Sequence, residues 1–177
     1  MARNIEIKAR ITRVSDLLAT AAALADQGPI EIVQDDTFFA CDAGRLKLRA
    51  FSNSQGELIF YRRSNQSGPK ESYYVRTPTA APDSLRETLT LAYGAVGRVR
   101  KNRLLFLAGR TRIHLDSVED LGDFLELEVV LNEDEPLDNG VREAHRLMQQ
   151  LGVRPSQLID RAYVDLLAEM RARQQEG

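Results

Sequence analysis

The sequence predicts an α+β fold, a closed or nearly closed antiparallel β-barrel with a charged interior and helices packed on the outside. Three observations carry that prediction. Segments with a period of two recur along the chain. Their polar rows are dominated by Arg and Lys, with the acids concentrated in three segments, and the stretches between them include runs with helical spacing. A strand points successive side chains to opposite faces, and a closed barrel gives every such row the same enclosed destination.

The first strand is Asn4-Ile5-Glu6-Ile7-Lys8-Ala9-Arg10, which puts Asn4, Glu6, Lys8 and Arg10 on one face and the apolar residues on the other. Ser15 then caps a helix that runs from Asp16 to Gly28-Pro29, which stop it. Asp42-Ala43-Gly44 reads as a hairpin turn into a strand whose Arg45, Lys47 and Arg49 share a face, and Ser54-Gln55-Gly56 as the next turn. Tyr61 and Arg63 share a face, as do Ser72, Tyr74 and Arg76 beyond the loop Asn65–Pro69. Pro82 to Tyr93 has a helical period through Leu85, Leu89 and Ala92.

Gly94-Ala95-Val96-Gly97 lacks both the Lys-Ser/Thr of a phosphate loop and a dinucleotide fingerprint, and reads as a turn and strand start. Lys101 and Arg103 follow on one face. After the turn at Ala108-Gly109 come Arg112, His114 and Asp116, and then Glu126 and Glu128. Asp138 to Leu151 and Ser156 to about Arg173 have the spacing of two amphipathic helices, the second running into a polar tail.

At 177 residues and 43% hydrophobic, the chain is long enough to bury about two-thirds of its unfolded surface, and residues 1–177 read as one domain. The 24 basic and 26 acidic residues leave a net charge of -2, so no global basic field favours nucleic acid. Cys41 is alone and forms no internal disulfide, and no apolar run has the length of a signal peptide or membrane span. The expected setting is therefore soluble and cytoplasmic, with no nucleic-acid or membrane partner and with homodimerisation left open.

Rows of guanidinium and ammonium groups facing one lumen repel: at about 6 Å and an effective dielectric near 20, each pair costs about 3 kcal/mol. A polyanion relieves that repulsion, and Arg and Lys bind phosphate oxygens through charge-assisted hydrogen bonds. Carboxylates such as Glu6, Asp116, Glu126 and Glu128 are hard oxygen donors of the kind that hold Mg²⁺ or Mn²⁺ beside substrate phosphates. Both sets in one cavity describe a site for a metal-bound polyphosphate. Tyr61, Ser72 and Tyr74 are candidates for base or ribose contacts as well as for packing. His114 lies on the charged face, where a structural role is an equal alternative.

The opening Asn4-Ile5-Glu6-Ile7-Lys8 resembles the Glu-x-Glu-x-Lys signature of the CYTH superfamily, the triphosphate tunnel metalloenzymes. Gln34–Phe39, Gly44–Arg49 and Arg112–Glu128 are similar to its later blocks in the expected order, over roughly residues 1 to 168. Within it the chain is most similar to the class IV adenylyl cyclase-like branch. The resemblance implies about eight strands forming a tunnel. It also implies metal ligation by Glu6, Glu126 and Glu128 with Asp116 contributing, and phosphate binding by Lys8, Arg10, Lys47, Arg49, Arg63, Lys101, Arg103 and Arg112. Of these, Glu6, Lys8, Lys47 and Arg112 are the expected catalytic set.

Two positions depart from the family pattern. Asn4 stands where the motif has its first glutamate, and Ala162 precedes Tyr163 where the family often has serine. The implied function is metal-dependent chemistry on a triphosphate: conversion of ATP to cyclic AMP and pyrophosphate. The alternatives are hydrolysis of tripolyphosphate, thiamine triphosphate or a nucleoside triphosphate, and non-catalytic binding of nucleotide or polyphosphate.

Overall fold

A computed structural model describes residues 2–176, so the two outermost residues of the expected 1–177 domain lie outside it. Eight strands form the barrel: β1 (Ala2–Arg10), β2 (Gln27–Phe39), β3 (Arg45–Ala50), β4 (Gly56–Arg63), β5 (Lys70–Thr79), β6 (Ala95–Ala108), β7 (Thr111–Val118) and β8 (Gly122–Val130). Their order around the ring is β1-β5-β4-β3-β2-β6-β7-β8, every pair is antiparallel, and β8 closes onto β1. The expected eight-stranded antiparallel barrel is therefore present, and closure leaves no sheet edge exposed to other chains.

Four helices lie around it: α1 (Leu18–Leu24), α2 (Pro82–Tyr93), α3 (Leu137–Gln150) and α4 (Tyr163–Gln175). The outward apolar rows of β1, β7 and β8, including Ile5, Ile7, Ile113, Leu115, Leu125 and Leu127, form one core with Ala144, Leu147 and Met148 of α3 and Ala21 of α1. Gly140 is the point of closest approach between α3 and β1. A Cβ there would stand 2.7 Å from Ile5 Cγ1 and 2.8 Å from Leu131 Cδ2. Gly140→Val is accordingly expected to cost about 1–3 kcal/mol of stability by overpacking. Thermal unfolding checks this, with ligand binding by the remaining folded protein unchanged.

The second core closes one end of the barrel. There α4 and the residue before it bring Ala162, Tyr163, Val164 and Leu167 against inward-facing Phe38, Val99 and Phe124. Gly97 makes room for this, since a Cβ on it would collide with Val164. Arg45 on β3 holds the same helix through Asp165, at 2.9 and 2.7 Å.

Three helix boundaries differ from the sequence reading, the first being that Ser15 lies inside a 3₁₀ turn, Val14–Asp16, rather than capping α1, which begins at Leu18. Gly28-Pro29 does not end a helix but lies inside β2, where the pairing with β6 shifts register between Gln27 and Ile30. This stretch of β2 has β6 on one side and gains β3 only from Asp35 onward, so a proline without an N–H is tolerated. The final helix begins at Tyr163, not Ser156. Pro155–Gln157 form a single 3₁₀ turn, after which Leu158 bridges Ala9 and the Ile159 N–H donates to the Lys8 carbonyl. This backbone is spent on the barrel rim. No helix among the described residues is long and apolar enough to cross a membrane.

Candidate functional site: a charged tunnel

The alternation of each strand aims its polar row into the lumen, where a cavity of about 250 Å³ runs through the barrel. Eight basic side chains line it: Lys8, Lys47, Arg49, Arg63, Arg76, Lys101, Arg103 and Arg112. Five acidic ones, Glu6, Asp36, Glu57, Glu126 and Glu128, line it as well. The cavity is thus net positive inside a chain that is net negative overall. Seven of the eight residues expected to bind phosphate are in this wall, as are Glu6, Glu126 and Glu128, and Tyr61, Ser72 and Tyr74.

The charges are organised in pairs. Asp36 on β2, 2% exposed, accepts from Lys47 at 2.8 Å and takes a bidentate fork from Arg49, with both contacts at 2.8 Å. Glu6 accepts from Arg63 at 2.7 Å, and Glu128 from Arg112 at 2.8 Å. Glu126 sits between Lys8 at 3.2 Å and Arg103 at 3.3 Å. Burial opposes its ionisation, but the Lys8 and Arg103 charges outweigh burial and hold it well below the usual carboxylate range.

The lysines carry the opposite strain. Burial, and next the Arg49 charge, push Lys47 down to about 7 against the pull of Asp36. Burial, and next Arg103, bring Lys101 to about 8. Arg49 stays protonated, because Asp36 offsets the cost of burying it. These arrangements leave cations whose charge is incompletely balanced, as a site for an anion requires.

Two expected site residues are placed elsewhere. Asp116 is fully buried, but both its oxygens are taken by a bidentate contact from Arg103 at 2.7 Å, with the Tyr163 hydroxyl at 2.9 Å and Lys101 at 3.4 Å. It holds Arg103 and Lys101 from behind the cavity wall. Arg10 is at the rim, where its strand passes under α4. Its guanidinium stacks on Phe124 at 4.7 Å and donates to the Leu121 carbonyl at 3.2 Å, outside the cavity wall.

Among the described residues, His114, Glu126 and Glu128 offer ligand atoms within 4.8 Å of one another, a spacing that could hold a metal ion. The Nδ1 of His114 is buried with no hydrogen-bond partner, its carboxylate neighbours lying 3.9 and 4.0 Å away, too far to count as one. Burial lowers the His114 pKa, with Arg103 adding to the effect, so the imidazole is neutral and keeps a lone pair. Glu128 gives Oε2 to Arg112 and keeps Oε1 facing Nδ1. Two carboxylates and a neutral imidazole suit a divalent cation with oxygen preference that also accepts nitrogen.

Among the wall residues without a role in the sequence reading are Asp36, Gln34, Tyr163, Glu57 and Arg76. Asp36 stands in a block quoted for its family likeness, and the alternation of β2 alone separates it from its neighbour: Asp35 faces outward to Arg98 at 2.8 and 2.6 Å, Asp36 inward. Gln34 precedes it by two and faces the same way. Tyr163 reaches the lumen from the end of the chain, with Lys8 and Lys101 over its ring at 3.8 and 4.8 Å.

Comparison with known proteins agrees with this geometry. Residues 2–163 match the model of the CYTH domain. The chain is 26% identical over 162 residues to the adenylate cyclase CyaB of Aeromonas hydrophila, covering 85% of this chain and 83% of that one. Its fold is similar to the PH1012 protein of Pyrococcus horikoshii OT3, with a TM-score of 0.79, 21% identity, and 92% and 98% of the two chains covered. It is also similar to HpAC1 of Hippeastrum, described as an adenylyl cyclase candidate with a dominant triphosphatase activity. There the TM-score is 0.65 and the identity 14%, with 97% and 96% covered.

Proposed function

The chain belongs to the CYTH domain family, and we propose that its tunnel carries out metal-dependent chemistry on a triphosphate, with conversion of ATP to cyclic AMP and pyrophosphate as the leading reaction. One observation supports this reading above the others: separate strands deliver seven expected phosphate-binding cations and three expected carboxylates to a single cavity.

In this reading Lys47, Arg49 and Lys101 grip the phosphate chain near Asp36, while Lys8, Arg63, Arg103 and Arg112 complete the ring around it. A Mg²⁺ or Mn²⁺ held by His114, Glu126 and Glu128, with Glu6 alongside, would neutralise phosphate charge and sharpen the electrophile. The ribose 3′ hydroxyl attacks the α-phosphorus in line and gives its proton to water, the bond to the bridging oxygen breaks, and pyrophosphate leaves with its charge spread over the basic wall. The protein supplies position and charge rather than a covalent intermediate.

The relative from Aeromonas hydrophila supports the cyclase reading. The second reading, in which water attacks the terminal phosphorus, has its support in the activity described for the Hippeastrum neighbour. Incubation of purified protein with ATP or tripolyphosphate and Mg²⁺ or Mn²⁺ tests both. Cyclic AMP and pyrophosphate in equal amounts are expected; orthophosphate moves the reading to a triphosphatase, and no product from either substrate overturns it.

The depressed lysines add a pH signature. At pH 8 Lys47, near 7, is largely neutral and Lys101, near 8, about half protonated. A bound polyanion favours their charged forms, so metal-free binding of ATP, whose phosphates are already ionised, takes up about one proton. The uptake vanishes toward pH 6, where both lysines are protonated beforehand. Calorimetry in buffers of different ionisation enthalpy measures it.

A further inference from the structure

Two amide side chains in the tunnel wall carry no charge and have no part in the proposed reaction. Asn4 and Gln34 are 3% and 4% exposed, and both line the cavity. The Oδ1 of Asn4 and the Oε1 of Gln34 are closed off from the lumen and have no hydrogen-bond partner. What each residue shows to the lumen is its amide nitrogen, which only donates. The arrangement leaves a buried acceptor unpaired while it keeps donors free, as suits a ligand made of acceptors.

The neighbours of both amides fit the same ligand. Gln34 is paired across β2 and β6 with Lys101, and it stands two residues from Asp36, which gathers Lys47 and Arg49. Asn4 is paired across β1 and β5 with Ser72, another neutral wall residue, and it stands two residues from Glu6 with its partner Arg63. The inward carboxylates next to them on their own strands are thus already engaged by cations. β1 and β2 stand four places apart in either direction around the eight-stranded ring, so the two amides belong to opposite walls. A divalent cation takes an amide through its oxygen, and the closed-off Oδ1 keeps Asn4 from that role.

Resting on the proposed triphosphate reading, we infer that Asn4 and Gln34 are phosphate-binding residues: their amide nitrogens donate hydrogen bonds to phosphate oxygens from opposite sides of the tunnel. Arg and Lys attract the chain from a distance. A neutral donor adds affinity only on contact, so the two amides fix where phosphate oxygens lie without adding to the repulsion among the cations. At Asn4 a position that carries a carboxylate in the family motif becomes a phosphate contact.

The test measures tripolyphosphate and ATP binding in EDTA by calorimetry at several salt concentrations, for wild type, Asn4→Leu and Gln34→Leu. Each variant is expected to lose about tenfold or more in affinity for both ligands alike, with the salt dependence of wild type. Arg49→Ala, which removes a cation, should flatten the salt dependence instead. Mn²⁺ binding without phosphate, read by electron paramagnetic resonance, should be unchanged in Asn4→Leu. The ligand-free leucine variants should unfold at the same temperature as wild type or higher, because an unpaired carbonyl has been removed from the interior. Tripolyphosphate affinity within about twofold of wild type, or a loss confined to ATP, overturns the inference, and weakened Mn²⁺ binding overturns it for Asn4. If a leucine variant does not fold, the alanine variant at the same position gives the same comparison. A wild type that binds neither ligand would instead remove the triphosphate reading on which the inference rests.

Discussion

Glu126→Gln is expected to lower turnover by about a hundredfold or more while the protein stays folded. Glutamine keeps the shape and loses the charge, so the cation site proposed with His114 and Glu128 would lose one of its two anionic ligands. The neighbours are provided for: Arg103 keeps its fork to Asp116, and Lys8 keeps the Tyr163 ring and the Arg161 carbonyl. The stability cost is accordingly about 1–2 kcal/mol. Binding moves in the opposite sense. With a negative charge gone from the wall, metal-free tripolyphosphate should bind more tightly to the variant than to wild type. Turnover kinetics and calorimetry on the same preparation read both effects, and unchanged turnover would contradict the metal assignment.

Asp36→Ala acts on stability instead. Asp36 is the shared partner of Lys47 and Arg49 and is itself 2% exposed, so its removal leaves the Arg49 guanidinium in the wall with no compensating anion and drives Lys47 further toward its neutral form. Breaking a buried pair from one side costs about 3–5 kcal/mol, and here the stranded charge also faces Lys101. Urea unfolding at neutral pH should show that loss, and saturating tripolyphosphate should recover a larger part of it in the variant than it adds to wild type, because the ligand supplies the missing negative charge. Lys47 and Arg49 hold the Asp36 carboxyl far below its usual 3.8 against the effect of burial. A depressed pKa stabilises the fold above the unfolded value, so this contribution is whole at neutral pH and drains as pH falls below about 4. A loss under about 1 kcal/mol would mean that the Arg49 guanidinium escapes to solvent.

The parts of the site carried by strands were legible because a period of two allows only two faces. Once Glu6, Lys8, Lys47, Arg49, Arg103, Arg112, Glu126 and Glu128 occupy one row each, the closed sheet brings the rows together. Alternation does not report how far along the lumen a residue sits or what stands behind it. Arg10 obeys the pattern and is lost to the rim, where Phe124 and the Leu121 carbonyl hold it. Asp116 also obeys it, but Tyr163, 47 residues away in sequence, comes in on α4 and joins Arg103 in occupying its oxygens. Contacts of that range have no local signal.

The helices divide in the same way. Pro82–Tyr93 carries its own start and stop, proline at the first turn and Gly94 at the end in the left-handed range, so its limits were readable. Gly28-Pro29 look like the same kind of stop, yet pairing with β6 recruits them into a strand. Leu158 and Ile159 have the spacing of a helix and are drawn to the rim by Ala9 and Lys8. Local preference is a weak term where tertiary pairing is available.

The central claim is that charges of both signs from separate strands form one enclosed site for a metal-bound triphosphate. A crystal structure with a non-hydrolysable ATP analogue and Mn²⁺ tests it most directly. The account predicts triphosphate density along Lys47, Arg49, Arg63 and Lys101, with an anomalous manganese peak among His114, Glu126 and Glu128. Analogue and manganese bound only on the outer face of the barrel, with the tunnel holding solvent alone, would contradict it.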